Sequence, residues 1–412
     1  MPMTTEGPKK CRPFLLGWLL VQALFPAACI AADWPQWLGP QHDGIAREAD
    51  FFKNWPASGL KTLWTSEVGT GHSGISVVGE RAYTCGFQEG HDQVVCLDTR
   101  TGERVWTSQY PSEIFDKMDS GGPASTPLVQ EGKVFTFSRL AEVGAWEAET
   151  GKELWRFNPQ KEFETEIPLF GFTASPVWAD GKVVIDAGVG TAFDPTTGKV
   201  VWKTEKYKAT CSTPQVAQRE GHTWVAFFNA FGLVTIDAET GEKVFEKEWR
   251  TKQYDTNTAT PVFVGDRVFI TSGYDAGCAL LQLNGKEEPS VLWRNDELRS
   301  FYNTLIPWKD HLYGFLDNNL VCIELATGEK KWSQRGVAKG CLIIVDGYLL
   351  TLSEKGELVL VEATPEGYRE KGRSQNLGGT TWNLPVLAHQ KLFLRNAKGK
   401  VVCLDVDPDS YR

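Results

Sequence analysis

One phrase returns five times along the chain, and its spacing sets the architecture: an acidic residue, a turn ending in Thr-Gly, and an aromatic four residues after the glycine. It reads LDTRTGERVW (Leu97 to Trp106), WEAETGKELW (Trp146 to Trp155), FDPTTGKVVW (Phe193 to Trp202), IDAETGEKVF (Ile236 to Phe245) and IELATGEKKW (Ile323 to Trp332). Trp64 and Trp293 end similar strands in weaker copies. The aromatics at 64, 106, 155, 202, 245, 293 and 332 are therefore 42, 49, 47, 43, 48 and 39 residues apart. A strand-built unit recurring every ~40–50 residues implies a radial propeller, because one such unit cannot bury its own faces.

The phrase has a physical logic. An apolar run such as Val94 to Leu97 reads as a buried strand; Asp98 can cap the turn with its own side chain, and Gly102 supplies the positive φ that closes it. The following strand then delivers Trp106, a ring placed to pack between neighbouring sheets and bury ~150–250 Å². The structural docking positions are thus Trp64, Trp106, Trp155, Trp202, Phe245, Trp293 and Trp332.

A second phrase marks the innermost strands: ASTP (Ala124 to Pro127), TASP (Thr173 to Pro176), CSTP (Cys211 to Pro214), TATP (Thr258 to Pro261) and Leu384-Pro385. Proline is tolerated at the first residue of a strand, where the ladder donor is dispensable. Weaker copies begin near Ser76, Leu305 and Leu342, which makes eight inner strands against seven matched aromatics, since Val361 to Glu370 offers no tryptophan. The inner strands favour an all-β fold of eight four-stranded antiparallel blades over seven. Residues 381–406 supply only the inner part of a blade, so LKTLWTSEV (Leu60 to Val68) is expected to close the ring as its outer strand. Closure removes sheet edges that would otherwise template aggregation.

These motifs resemble those of the quinoprotein alcohol dehydrogenase-like propellers, whose blades carry an AxDxxTGxxxW tryptophan-docking pattern. The resemblance covers about residues 60–406. In length the chain is similar to the outer membrane assembly factor BamB and to exported PQQ-like repeat proteins, and its opening DWPQWLGPQHDG (Asp33 to Gly44) resembles the start of exported PQQ-like proteins. Fold does not fix function. The resemblance implies either a non-catalytic scaffold or a dehydrogenase using pyrroloquinoline quinone (PQQ) with calcium. The latter needs an aspartate base, a calcium held by carboxylate and amide oxygens, a tryptophan platform and, in the alcohol dehydrogenases, an adjacent Cys-Cys pair. The chain has no Cys-Cys dipeptide, and only Asp255 and Asn257 suggest oxygen ligands near the ring mouth.

Residues 1–32 read as a signal peptide, with Lys9, Lys10 and Arg12 before an apolar core from Phe14 to Phe25 and small residues up to Ala32. Cys29 would be the anchor of a lipoprotein, but Pro26 stands where a lipobox has an aliphatic residue. Domains then run 33–59 (N-terminal extension), 60–406 (propeller) and 407–412 (tail). The net charge of −9 becomes more acidic without the leader, which takes three basic and one acidic residue with it. No basic face is visible for nucleic acid, and no other stretch is long enough to be a membrane helix.

Cys96, Cys322 and Cys403 occupy one repeat position and read as small core residues. If the hairpin after Cys85 turns through Glu89 to Asp92, Cys85 faces Cys96; a cross-strand disulfide and two core cysteines are then the alternatives. The histidines at 42, 72, 91, 222, 311 and 389 show no metal-ligand spacing. Gly69 to Gly74 matches GxGxxG, but a strand follows it where a dinucleotide fold needs a helix, so it reads as a flexible lead-in to the first blade.

What remains is a surface. Loops 107–123 and 156–172 are long, and aromatics and basic residues gather before the inner strands: Phe115, Lys117, Phe170, Arg250, Tyr254 and Phe301 among them. Repeat alignment places His72, Phe172, Asn257, Tyr302, Asn303, Trp382 and Asn383 around the channel mouth, with packing of Phe170 and Phe172 between blades as the alternative to exposure. The reading is an exported, monomeric, non-catalytic scaffold for an envelope protein partner. No metal or cofactor is expected under it.

Overall fold

Within each repeat the second and third strands are apolar on both faces and the fourth alternates, as sheets stacked around an axis require. The first blade shows it: Ser76–Val78, Arg81–Gln88 and His91–Asp98 are largely buried, whereas in Arg104–Pro111 exposed and part-buried residues alternate. The computed structural model describes residues 1, 3, 32–48, 51–117, 119–302 and 305–411. The expected leader, with Cys29, lies outside them except for residues 1, 3 and 32, and so does Asn303.

The described residues form eight antiparallel sheets. Blades 1 to 7 run over 76–111, 128–157, 177–203, 215–248, 262–295, 306–334 and 340–375, and blade 8 over 386–405. Thr62–Glu67 pairs antiparallel with Lys400–Asp405 and completes blade 8, closing the ring with a strand from the other end of the chain.

The aromatic of each blade reaches the next. Trp64, Trp106, Trp155, Trp202, Trp293 and Trp332 each donate Nε1–H to a carbonyl of the following blade (Thr99, Ala148, Pro195, Ala238, Leu325 and Thr364) at 2.8–3.1 Å. All but Trp332 lie on the turn glycine of the next blade: at Gly102, with φ 74°, an added Cβ would sit 2.4 Å from Trp64. The glycine is needed both for the left-handed backbone and for the room. Phe245 has no N–H to give and packs edge-on to Trp224, 5.7 Å between centroids.

Blade 7 breaks the pattern. Strand register puts Gly372, opposite Leu360, where Trp332 stands opposite Cys322 in blade 6. The ring comes instead from the N-terminal extension: a Cβ at Gly372 would meet Trp55 at 2.8 Å, and Trp55 donates Nε1–H to the carbonyl of Phe52 at 3.0 Å. The extension then stays on the body through Phe52, stacked at 4.1 Å on Tyr411 of the C-terminal tail.

The extension also closes one end of the channel. Trp34 forms a bridge with Val77 in blade 1, and the Pro35 carbonyl accepts from Val129 N in blade 2. Trp37 donates to Thr260 Oγ1 beside blade 5 at 3.1 Å, and the His42 carbonyl accepts from Gln215 in blade 4. Ile45–Ala46 then adds a parallel fifth strand to Gly340–Val345 of blade 7. Asp33 meets His389 in blade 8 at 2.8 Å. A plug that bonds to so many blades fixes their spacing around the axis.

Two local expectations are corrected. The hairpin after Cys85 turns at Glu89 (φ 49°) and Gly90 (φ 77°), a two-residue turn that pairs Gln88 with His91. Cys85 therefore faces Val94 and Cys96 faces Tyr83; both are buried free thiols. The segment 69–74 is not a loose lead-in, because Thr70 bridges Phe87, Gly71 N donates to the Ala397 carbonyl and His72 N to the Pro123 carbonyl, tying blades 8, 1 and 2 together.

Candidate functional site

The Ser/Thr-Pro phrases line the channel, and their hydroxyls stitch blade to blade. Ser175 Oγ accepts from Thr126 N, Thr213 Oγ1 accepts from Ser175 N, both at 2.9 Å, and Ser212 Oγ donates to the Ala259 carbonyl. Above this belt, at the end where loops lead into the inner strands, the channel widens into a cavity of about 270 Å³. Trp37 of the plug lies on its wall together with Ser175 and Thr213, so the funnel is bounded from below by the N-terminal extension.

Of the residues placed at the mouth by repeat alignment, His72, Tyr302, Trp382 and Asn383 converge on the cavity. Trp382 stacks on His72 at 4.6 Å and 14°, and lies 5.6 Å from Tyr302. Phe172 and Asn257 do not reach it. Phe172 is 1% exposed and packs on Phe137 at 5.5 Å, the inter-blade packing alternative. Asn257, equally buried, donates to the carbonyls of Asn229 and Trp249 and accepts from Ser272, so it ties loops together.

The aromatics form a track around the mouth. Tyr254 meets Tyr274 edge-on at 5.2 Å, and Tyr274 meets Phe301 at 5.2 Å. Lys339 Nζ then sits 5.6 Å over Phe301 and 5.5 Å over Tyr302, bridging to the Trp382–His72 stack. Tyr254 is 56% exposed at the outer end of this track.

Charge enters through residues that sequence reasoning missed. Arg139, 4% exposed, lines the cavity and donates to the Gly122 and Phe170 carbonyls and, at 3.0 Å, to Asp119. Asp119 also lies 3.8 Å from His72 Nε2, which meets Ser120 Oγ at 3.2 Å. Burial pushes the His72 imidazole down to about 4, and the Arg139 and Arg395 charges add to the effect against the pull of Asp119. His72 is thus a neutral ring at pH 7. Arg395 is fully buried, with bonds to the Ser73 and Gly69 carbonyls and Thr84 Oγ1. A partial signal existed: the fifth residue of the second strand is Cys85, Phe137, Asp186, Ala226, Thr271, Phe315 or Leu352 in the other blades, so a polar residue recurs there but Arg395 is the one basic side chain. Nothing comparable marks Arg139 and Asp119, which meet from separate loops.

The residues present do not fit the calcium of a quinoprotein. Asp119, the carboxylate on the cavity wall, is engaged by Arg139, and Asp255 pairs with Lys208 at 3.1 Å at the surface. Asn257 spends its amide on backbone and Ser272. Among the described residues no three His, Cys, Asp or Glu side chains converge as a metal site.

The sequence pattern of the family described as outer membrane protein assembly factor BamB matches residues 90–334. A protein of that name from Burkholderia pseudomallei (strain K96243) is 24% identical over 293 residues, 60% of this chain and 71% of the relative. A quinohemoprotein alcohol dehydrogenase of Comamonas testosteroni is 31% identical over 149 residues, 32% of this chain but 20% of the enzyme's own length. The crystal structure of BamB from Moraxella catarrhalis superposes with a TM-score of 0.60 at 16% identity, covering 84% of this chain and 97% of that one. At that identity the match speaks for the fold alone.

Proposed function

This chain belongs to the family described as outer membrane protein assembly factor BamB, and from that membership we propose that it is an exported, non-catalytic propeller that holds a protein partner in the cell envelope. The observation that carries the reading is the aromatic track from Tyr254 through Tyr274, Phe301 and Tyr302 to Trp382, with Lys339 set over its middle. Rings and cations around a depression are the composition of interface anchors, which give up little side-chain entropy on binding. Family membership supplies the class of partner: an envelope protein of the outer membrane assembly machinery. Among the described residues no helix is long and apolar enough to cross a membrane, so attachment to the envelope would run through the partner or a leader-derived anchor.

The test is cross-linking and co-purification from the envelope of cells carrying the wild type, Tyr254→Ala or Tyr302→Ala. Each substitution is expected to weaken capture of the same partner by ~2 kcal/mol, the cost of an interface anchor, with melting temperatures near wild type. If both variants recover the wild-type set of envelope proteins in equal yield, the partner does not use this face. PQQ with calcium is expected to give no dye reduction with alcohols; turnover there would replace the scaffold with an enzyme.

A further inference from the structure

The plug does not meet the inner strands equally. Each inner strand closes on the next through a two-residue turn, as Arg219 and His222 do in blade 4, so the closing residue spends its N–H and C=O within the sheet. The residue before it turns both groups toward the axis. In blades 1, 2 and 7 that residue is Val77, Val129 or Ile344, and the plug takes it up: Val77 exchanges both bonds with Trp34 at 2.8 Å, Val129 N donates to the Pro35 carbonyl at 2.8 Å and Ile344 N to the Gly44 carbonyl at 2.9 Å. Blade 6 has Pro307 there, with no N–H to satisfy. Blade 4 has Gln218, preceded in the same orientation by Val216, and blade 5 has Phe263; among the described residues none of these main-chain groups has a partner on the axial side. The same holds for Trp178 and Leu387 in blades 3 and 8; blades 4 and 5 also have a cavity before them.

That cavity, of about 210 Å³, lies between plug residues 38–43 and the inner strands of blades 4 to 6, on the far side of the plug from the funnel. Leu38, Val262, Phe263 and Leu305 make its wall apolar, and Arg219 brings a guanidinium without a counter-ion. Arg219 is half-buried, lies 5.9 Å over the Phe263 ring and has no hydrogen bond or ion pair among the described residues. The carboxylates around it are otherwise engaged. Asp43 on the wall is held by Arg47 at 2.5 Å and by the Ile45 N–H, and Asp266, within electrostatic reach of Arg219, accepts from Gln282 and lies 4.0 Å from Arg267. Glu220 follows Arg219 on the exposed turn. Burial pushes the His42 imidazole down to about 4, so it adds no charge at pH 7. Charge around the cavity is therefore near balance, and Arg219 supplies a directed fork of N–H donors rather than a broad positive field.

We propose that this cavity is a docking slot for an extended peptide segment, which adds a short strand to the inner edge of blade 4 and sets an acidic side chain on Arg219. An open strand edge gives affinity through main-chain bonds, and the side-chain pockets beside it give choice. The molecule already uses the mode on itself: Trp34 bridges Val77 in blade 1, and Ile45–Ala46 adds a strand to blade 7. Blade 4 suits it because its inner strand, Gln215–Arg219, is five residues long against three in blades 1, 2, 3, 5, 6 and 8, so Val216 and Gln218 present two rungs in a row. The slot goes beyond the scaffold reading, which concerns the aromatic track at the other mouth.

The experiment is isothermal calorimetry on residues 33–412 with acetyl-Val-Glu-Val-amide, its Gln counterpart, and the Glu peptide methylated on its three residue amides. Saturable one-site binding of the Glu peptide is expected, with the Gln peptide about tenfold weaker, the scale of one charge-assisted contact. The methylated peptide, which cannot donate to a strand edge, should not bind. Arg219→Gln should lower affinity for the Glu peptide by about tenfold and leave the Gln peptide unchanged. Gln218→Pro removes one main-chain donor from the edge and should weaken both peptides by about tenfold; proline is native at the equivalent place in blade 6, so the variant is expected to keep its circular dichroism spectrum. No saturable binding of the Glu peptide, a methylated peptide as tight as its parent, an unchanged affinity in Gln218→Pro, or an undiminished preference for Glu in Arg219→Gln overturns the proposal. The methylated peptide needs no variant and decides the point even if Gln218→Pro melts early. Such a failure leaves capture through Tyr254 and Tyr302 untouched, because that test reads the other end of the channel.

Discussion

Replacing Trp202 by alanine should be among the most damaging single changes in the molecule. The residue is 8% exposed, lies on Gly241 of the next blade and donates Nε1–H to the Ala238 carbonyl at 2.9 Å. Burial of ~200 Å² of ring at ~25 cal/mol per Å² is worth ~5 kcal/mol at most. The lost bond adds ~1 kcal/mol, and partial collapse of the site returns some of the total. The expected loss is thus ~3–5 kcal/mol. Trp202→Phe keeps most of the ring and loses the bond, and blade 4 already works with Phe245 at the equivalent place, so that variant should cost only ~1–2 kcal/mol. Urea unfolding followed by circular dichroism at neutral pH measures both. If the alanine variant loses under ~1.5 kcal/mol, or the phenylalanine variant costs as much as the alanine one, the docked ring is not what couples blade 3 to blade 4.

Trp55→Ala should lower stability by ~2–3 kcal/mol although it lies outside the repeats, and Gly372→Ala should also destabilise, since its Cβ would come within 2.8 Å of that ring; matched urea curves check both. Deleting residues 33–68 should leave blade 8 with an open edge and give an aggregating product, visible by size-exclusion chromatography; a monomeric, folded product would refute the closure. Burial raises the Asp186 carboxyl to about 6, above its unfolded value. Its contribution to stability is therefore full below about pH 4 and lost as pH rises to about 6, and Asp186→Asn should gain roughly 1–3 kcal/mol over wild type at pH 7 but not at pH 4. Thiol titration of denatured, unreduced residues 33–412 should count seven thiols; five would restore a Cys85–Cys96 bond.

The ring itself was legible in the sequence because its causes are local and repeated. Each acid-turn-Thr-Gly-aromatic copy specifies its own hairpin and its own docking ring, and the inner-strand starts, five of them marked by proline and three weaker, count the blades. The strand from Thr62 to Glu67 could be assigned to blade 8 for the same reason, as the one outer strand missing from the count. Where identity rested on distant partners, the sequence said little. Residues 33–48 carry no period, since their bonds go to nearly every blade in turn, and Trp55 replaces an eighth docking aromatic from more than 300 residues away. The register at Cys85 hung on a positive φ at Glu89, a position where glutamate gives no warning. Phe172 and Asn257 fell at the right height in the repeat, but only the packing of neighbouring loops turned them inward. The funnel is the extreme case: Arg139 and Asp119 come from loops of different blades, His72 and Trp382 from opposite ends of the chain, and Trp37 from the plug. Period fixes each blade, whereas the site at the axis exists only after ring closure has brought single, unrepeated residues from all of them together.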